Sequence, residues 1–192
     1  MIALPPGRAV RADTLHVTSV AGYVPFQNRH RNTPNRSQGM FNPHGLQLVR
    51  RKVFAALDSR PAQCWPEKIY LRRSTATRTI TNLSEIELLL SRNGYVAVEP
   101  ERLTFLQQAE MFRCAKEIVA PTGAAIANAI LCTPGTRLCV LMGKHKDMIY
   151  RYWLNMLSPV GVRISYVLGK QSRRLGLGIH ADFTVCPFEM RR

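Results

Sequence analysis

From Glu67 onward, short apolar runs alternate with segments in which apolar residues recur every three or four positions. The short runs have the length and side-chain composition of β-strands, and the longer segments have the period of amphipathic helices. Five strands are predicted at residues 68–71, 95–98, 118–120, 138–142 and 162–168. Because strands that alternate with helices join through right-handed crossovers, the pattern predicts an α/β fold built on a parallel sheet.

Capping residues bound the four helices that separate these strands. Residues 82–85 (Asn-Leu-Ser-Glu) form an Asn-led variant of the capping box, in which side chains satisfy free backbone groups at a helix start. Residues 104–107 (Thr-Phe-Leu-Gln) follow the same logic at the second helix. The Ala-rich stretch after Gly123 predicts a third helix, and we expect Asp147 to cap a fourth.

The beginning of the chain has a different character. Its first 60 residues carry nine basic and two acidic side chains and include a turn-rich stretch at 26–45. The apolar pattern predicts a strand at residues 15–20 and a helix over residues 46–57. The loop at about 27–45 is longer than an ordinary connection, so we expect it to be functional or mobile.

The chain is strongly basic, with 27 Lys and Arg against 12 Asp and Glu and a net charge of +15. Of the basic residues, 21 are arginines, whose planar fork of donors suits phosphate and carboxylate. Nucleic acid, an acidic membrane surface and a phosphorylated small molecule are therefore all candidate partners; scattered surface charge that serves solubility is the alternative. A hydrophobic content of 46% excludes a disordered polycation.

The sequence has no motif typical of a membrane-spanning, secreted or metal-binding protein, and this predicts the location and redox state of the chain. No apolar run approaches the roughly 18 residues of a membrane-spanning helix. The first ten residues also lack the apolar core of a secretory signal. None of the five cysteines belongs to a C-x-x-C pair, and no histidine lies at metal-ligand spacing from them. No structural metal is therefore expected. The predicted location is the reducing cytoplasm, including peripheral contact with the inner membrane face.

Two of the loops that follow strands carry charged residues. In an open parallel sheet, ligands bind at the carboxyl ends of the strands. After the first strand come Arg72, Arg73 and Arg78 with several hydroxyls and no glycine. This loop favours a phosphate held by arginines over a glycine-rich backbone cradle, and a solvated turn is the alternative. After the second strand, Glu101 suits ribose hydroxyls or, equally, the dipole of the next helix.

The loop after the third strand combines tiny residues with a predicted helix start. Thr122, Gly123 and Ala124 precede or open the Ala-rich helix, and Asn128 follows one turn later. Small side chains at a helix N-terminus let an anion approach the free backbone N–H groups. Close packing of the helix on the sheet would require the same small residues.

These motifs together resemble glycosyltransferase family 61 over most of the chain. The resemblance begins with the aromatic strand that ends in arginine and extends to the terminal segment at 180–183 and an upstream piece at 13–20. Between them it is carried by Arg78, Asn82, Glu85, Pro100, Glu101, Phe105, Gln108, Phe112, Ala115, Thr122, Gly123, Ala124, Ala125, Asn128, Pro134 and Gly135. Two departures stand out: Thr122 replaces a His that many members have, and Arg72 replaces a frequent Ser.

The resemblance implies an inverting transferase that moves a sugar from a nucleotide donor to a glycan or protein acceptor; bacterial members act in capsule and surface polysaccharide synthesis. Such enzymes have the GT-B architecture of two Rossmann-like domains, each a parallel sheet with helices on both faces. This chain corresponds to the C-terminal half. Residues 65–192 would be the nucleotide-sugar-binding domain, and residues 1–64 a remnant of the linker or first domain.

The resemblance also implies roles for particular residues. Arg73, Arg78 and the helix start at Thr122, Gly123 and Ala124 would bind the donor phosphates. Glu101 and Asn128 would contact the nucleoside. No metal or other cofactor is expected; a UDP-linked sugar would be the substrate.

The catalytic base is not assigned by the sequence. The upstream candidates Asp13, His16 and His30 carry no signature, and the base belongs equally well to a missing N-terminal domain. A basic nucleic-acid-binding protein and a non-catalytic nucleotide-binding remnant are the alternative functions. No stretch interleaves aromatic with basic residues, which makes nucleic acid the weaker of the possible partners.

We predict that all five cysteines are free thiols, because their number is odd and three of them fall in apolar stretches. Thiol titration of denatured protein prepared without reductant should count five. A count of three or one would mean that disulfides form.

Overall fold

The computed structural model describes residues 6–9, 11, 13–14, 22–23, 39–61, 63–74, 77–146, 148, 150–172 and 178–191. The predicted strand at 15–20, most of the predicted loop at 27–45, His16, His30 and the predicted cap Asp147 lie outside the described residues. All five cysteines lie inside them, as free thiols.

The described N-terminal part consists of a small strand pair and one long helix. Strands β1 (Gly22–Tyr23) and β2 (Met40–Phe41) pair antiparallel. Helix α1 (Pro43–Asp58) follows, and the Asn42 side chain caps it by accepting a hydrogen bond from the His44 N–H at 2.9 Å. The helix predicted over 46–57 is therefore confirmed, with a start a few residues earlier.

The main sheet has six strands, and its first five are the predicted ones. They are β3 (Lys68–Leu71), β4 (Val96–Val98), β5 (Glu117–Pro121), β6 (Arg137–Gly143), β7 (Arg163–Gln171) and β8 (Phe183–Thr184). The order across the sheet is β4-β3-β5-β6-β7-β8. Neighbours from β4 to β7 are parallel, as predicted.

The parallel sheet that the sequence predicts carries one further strand, which the sequence does not predict and which makes the sheet mixed. Strand β8 pairs antiparallel with β7. Only residues 172–182 connect the two strands, and a parallel pair needs a crossover of a dozen or more residues. The sheet is therefore mixed, and the last strand returns directly beside its predecessor.

Three α-helices and an eight-residue 3₁₀-helix are the main elements of the crossovers between the parallel strands. Helices α2 (Leu83–Arg92), α3 (Phe105–Cys114) and α4 (Arg151–Leu157) are α-helical. At the start of α3, the Thr104 hydroxyl and the Gln107 side chain form the predicted capping box. At the start of α2, Asn82 makes no side-chain cap, so that prediction is wrong; its amide is used elsewhere, as described below.

The third crossover, Ala124–Leu131, is a 3₁₀-helix, although an α-helix would be the usual form. Its eight residues must return along a strand of five residues. A 3₁₀-helix rises ~2.0 Å per residue against ~1.5 Å in an α-helix, so it spans ~16 Å, which matches the strand. The shortness of this connection accounts for the tighter winding.

Side chains of the central strands alternate between two apolar clusters, one on each face. Ile69 and Leu71 of β3 pack in the larger cluster with residues of α1, α3, α4 and the 3₁₀-helix. Tyr70 packs in the smaller cluster with Ile86 and Leu90 of α2. Helices therefore cover both faces, as the sequence predicts.

Helix α1 is joined to this body by a buried arginine. The Arg50 side chain is 6% exposed, and its Nη1 donates to the carbonyl of Ile130 and, at 2.8 Å, to that of Cys132. These carbonyls lie at the end of the 3₁₀-helix, where backbone acceptors lack helical partners. Burial lowers the pKa of Arg50, which reflects the cost of holding its charge away from water.

We predict that Arg50→Met destabilises the fold by about 2–4 kcal/mol, because it leaves two buried carbonyls without a donor. Urea denaturation measures this change. The matched control is Arg51→Met at the exposed neighbouring position, which should change the unfolding free energy by less than about 0.5 kcal/mol. A loss below about 1 kcal/mol at Arg50 would contradict the anchoring role.

Candidate anion-binding site at the carboxyl edge of the sheet

The strand order reverses direction between β3 and β5. From β3 the chain moves outward to β4, and it then returns to add β5, β6 and β7 on the other side. At such a switch point the connections leave the carboxyl ends of the two strands in opposite directions and open a crevice. Arg72 and Arg73 follow β3 at this crevice, and Thr122 and Gly123 follow β5.

Arg73 bridges the two sides of the crevice. Its Nη1 donates to the backbone carbonyl of Thr122 at 3.0 Å. A Cβ atom placed on Gly123 would lie 3.5 Å from the Arg73 Cδ and Nε atoms, so the side chain lies across the glycine backbone. The missing side chain at Gly123 thus keeps the space beside the guanidinium open.

A cavity of about 200 Å³ lies at this point. Its lining residues are Leu71, Arg72, Arg73, Arg78, Glu101, Pro121, Gly123, Ala124 and Ala125. Two loops and the start of the 3₁₀-helix therefore meet around one space. Five of the seven residues that the sequence predicts for the donor site line it together.

The environment of Arg73 and Arg78 disfavours their charged forms. Burial lowers the pKa of both side chains, and the charge of Arg78 lowers the pKa of Arg73 further. Glu101 opposes this effect on Arg73. The Arg78 Nε is buried without a hydrogen-bond partner. Two partly desolvated cations beside a cavity create a site that an anion would stabilise.

The backbone at Arg78 is also unusual. Arg78 has φ of 58°, in the left-handed region that residues other than glycine rarely adopt. It is the one such non-glycine residue in the part of the chain that the structure describes. A strained residue persists when its surroundings fix it, and such residues cluster at functional sites.

Arg72 has a different role from Arg73. Its guanidinium donates two hydrogen bonds to Glu87, at 2.7 and 2.8 Å, and lies 3.7 Å from Glu99. The hydrogen bond to Glu87 raises the pKa of Arg72. The charge of Arg72 is therefore balanced within the protein, which leaves Arg73 and Arg78 as the cations available to a ligand.

A second cavity, of about 390 Å³, is also present at the carboxyl edge. Its lining residues are Tyr70, Arg72, Arg73, Ser74, Arg78, Thr79, Ile80, Leu83, Glu87, Glu99 and Arg102. The lining combines apolar side chains with carboxylates and hydroxyls. Arg72, Arg73 and Arg78 line both cavities.

A family model described as glycosyltransferase 61 matches residues 3–139, which is most of the chain. The chain belongs to the glycosyltransferase 61 family. The family suggests glycosyltransferase activity and implies a sugar donor and an acceptor as substrates. No curated protein matches the chain. The matched residues include every side chain of the 200 Å³ cavity.

Two residues predicted for the site of this glycosyltransferase 61 chain are engaged elsewhere. Thr122 is buried, and its hydroxyl accepts a hydrogen bond from the Trp153 Nε1 at 3.4 Å. The Asn128 Nδ2 donates to the Gln108 side chain at 2.8 Å, and Gln108 in turn donates to the Pro100 carbonyl. Neither side chain lines the cavity; Thr122 contributes its carbonyl to Arg73, and Asn128 ties the 3₁₀-helix to the loop before α3.

Sequence reasoning missed the residues that fix the arginines in place. Glu87 on α2 balances Arg72, and Asp182 near the C-terminus binds the backbone beside Arg78. Asp182 lies outside residues 3–139, which the family model matches. Pairing between residues about a hundred positions apart leaves no trace in local periodicity.

Two features are absent from the described ranges of this glycosyltransferase 61 chain. Within those ranges, no helix combines the length and apolar character that crossing a membrane requires. Among the same residues, no three His, Cys, Asp or Glu side chains are grouped so that they could hold a metal ion.

We predict that Arg78→Gly increases the unfolding free energy by about 1 kcal/mol in buffer without phosphate or sulfate. Glycine accepts the left-handed backbone, and the substitution removes a desolvated charge that repels Arg73. Urea denaturation measures the change. The control Arg92→Gly, in helical backbone at the end of α2, should lose up to about 1 kcal/mol. An equal or larger loss at Arg78 would contradict this account of the site.

Proposed function

We propose that this chain is the donor-binding half of an inverting GT-B glycosyltransferase that uses a nucleotide sugar, and that the donor diphosphate binds in the 200 Å³ cavity. The observation that carries the proposal is the pair Arg73 and Arg78. Neither forms an ion pair with an acid among the described residues, and both lie beside the open backbone of Gly123 at the switch point.

The chemistry of the transfer explains why such a site is useful. The acceptor hydroxyl attacks the anomeric carbon while the bond from that carbon to the diphosphate oxygen breaks. The electron pair of the broken bond leaves with the diphosphate, and the acceptor proton passes to a base. Negative charge therefore grows on the leaving phosphate, where preorganised donors stabilise it most.

The residues of the cavity supply those donors from two directions. The forks of Arg73 and Arg78 match phosphate oxygens geometrically, and they stay charged at every physiological pH. The backbone at Gly123 and Ala124 opens the 3₁₀-helix, where N–H groups are free for an anion. Because the arginines are partly desolvated before the ligand arrives, their attraction for it is stronger than in open water.

The nucleoside of the donor extends from the diphosphate site toward Glu101. Glu101 lies at the rim of the cavity, exposed, and its carboxylate can accept hydrogen bonds from ribose hydroxyls. We place the catalytic base in the N-terminal domain of the GT-B pair, across the crevice from these residues. A glycan acceptor of bacterial surface polysaccharide, approached from the cytoplasmic face of the membrane, completes the proposal.

We predict that Arg73→Ala weakens UDP binding about tenfold or more, because it removes a charge-assisted hydrogen-bond donor. Arg73→Lys keeps the charge and loses the fork, so its affinity should fall between those of Arg73→Ala and the wild type. Isothermal calorimetry of UDP with the three proteins measures the series.

The control for this series is Arg92→Ala, which removes an exposed arginine at the end of α2. It should bind UDP as the wild type does. If Arg73→Ala binds as tightly as this control, the phosphate site lies elsewhere and the proposed function loses its main support.

A further inference from the structure

We propose that Asp182 is a positioning residue that holds Arg78 at the cavity, and that ligand binding is coupled to the docking of the Arg78 loop on the C-terminal segment at residues 178–185. The proposal rests on the proposed function in one respect: it takes the ligand of Arg78 to be the donor diphosphate. Asp182 itself does not line either cavity at the carboxyl edge.

Asp182 binds the residue that follows Arg78. One carboxylate oxygen, Oδ1, accepts hydrogen bonds from the Thr79 N–H at 2.8 Å and from the Thr79 hydroxyl at 2.7 Å. The carboxylate thus fixes both the backbone and the side chain of Thr79. These two bonds restrain the backbone directly after Arg78.

A short ladder of backbone hydrogen bonds continues on both sides of this contact. The Arg78 N–H donates to the His180 carbonyl at 3.1 Å, and the Phe183 N–H donates to the Thr79 carbonyl at 3.0 Å. The Thr81 N–H donates back to the Phe183 carbonyl at 2.9 Å. Residues 78–81 therefore gain strand-like partners from a segment about a hundred positions further along the chain.

Asn82 closes the ladder at its other end. Its side-chain oxygen accepts from the Val185 N–H at 3.0 Å, and its Nδ2 donates to the Val185 carbonyl at 2.8 Å. This use of the amide explains why Asn82 does not cap α2. The start of α2 and the C-terminal segment are thereby held together.

The C-terminal segment is itself fixed to the core. Phe183 and Val185 are 1% and 0% exposed, and β8 pairs with the edge of β7. On the loop side, Ile80 is also buried and forms an isolated β-bridge with Phe183. The end of the Arg78 loop and the C-terminal segment are therefore packed together in the smaller apolar cluster.

Arg78 needs this support for two reasons already described. Its backbone is in the left-handed region, and its guanidinium is repelled by Arg73. Both effects favour a loop that swings the arginine outward into water. The bonds from Asp182 and its neighbours oppose that motion, so they maintain a binding geometry that the loop would not keep alone.

Thermodynamic linkage makes this arrangement testable from either side. If docking of the Arg78 loop on this segment favours the ligand-binding position of Arg78, then bound ligand must favour that docking by the same factor. A purely structural carboxylate would contribute to the stability of the fold without this reciprocity. The two roles therefore predict different responses of the segment to ligand.

The first measurement compares UDP affinity by calorimetry across four variants. Asp182→Ala removes both hydrogen bonds to Thr79 and should weaken binding about tenfold, whereas Asp182→Asn keeps an acceptor and should stay within about threefold of the wild type. Thr79→Val keeps the backbone bond only and should be intermediate. The control Asp58→Ala removes an exposed carboxylate paired with Arg113 and should bind normally. Equal affinity of Asp182→Ala and the control would overturn the proposal.

The second measurement is amide hydrogen exchange of the wild type with and without saturating UDP. The amides of Arg78, Thr81 and Phe183, whose bonds cross between the two segments, should exchange several-fold more slowly when UDP is bound. The amide of Gly135, which donates to the Gly161 carbonyl, lies in a turn outside this contact and serves as the internal control. Protection at the three amides no greater than at Gly135 would overturn the coupling.

The third measurement needs no nucleotide and separates the two proposals. The Arg78 Nε proton is buried, so in the wild type it should exchange slowly with water, as seen by nitrogen-15 NMR of arginine-labelled protein. Asp182→Ala should speed this exchange and Asp58→Ala should not. If the wild type binds no UDP, the proposed function fails while this result still decides the positioning role. Unchanged exchange in Asp182→Ala overturns that role.

Discussion

The constraint on which this carboxyl edge depends is the presence of two partly desolvated arginines that form no ion pair with an acid among the described residues. Arg72 beside them shows the alternative, because Glu87 and Glu99 balance its charge. Arg73 is held across Gly123 by the Thr122 carbonyl, and Arg78 is held by backbone partners on the C-terminal segment. Keeping two cations close together beside an open cavity lowers the stability of the fold. A bound phosphate would offset this cost by neutralising their charge.

The strand order explains why these residues meet. The chain adds β4 on one side of β3 and then β5 on the other side. The loops that follow β3 and β5 therefore leave in opposite directions, and a crevice opens between them. The 3₁₀-helix fits the short return from β5 to β6, and Arg50 of α1 fixes its far end. An N-terminal helix thus supports the element whose other end forms part of the site.

Much of this architecture could be predicted from the sequence, and the failures have physical causes. The five parallel strands and the box at Thr104 follow from local periodicity and local hydrogen bonding, which a sequence displays directly. Strand β8, the use of Asn82 and the contact of Asp182 with Thr79 arise from pairing over long separations. Arg73, Arg78 and Gly123 were predictable as a group because the carboxyl ends of parallel strands share one edge of the sheet. The hydrogen bonds of Thr122 with Trp153 and of Asn128 with Gln108 join residues far apart in the chain, so no local sequence pattern predicts them.

The central claim is that Arg73 and Arg78 bind one diphosphate together. The most direct test is titration of arginine-labelled protein with UDP while the Nε–H resonances are followed by NMR. The account predicts that the Arg73 and Arg78 resonances shift together, saturably and with one shared dissociation constant, while that of the exposed Arg51 stays in place. Resonances that do not move, or that move no more than that of Arg51, would contradict it.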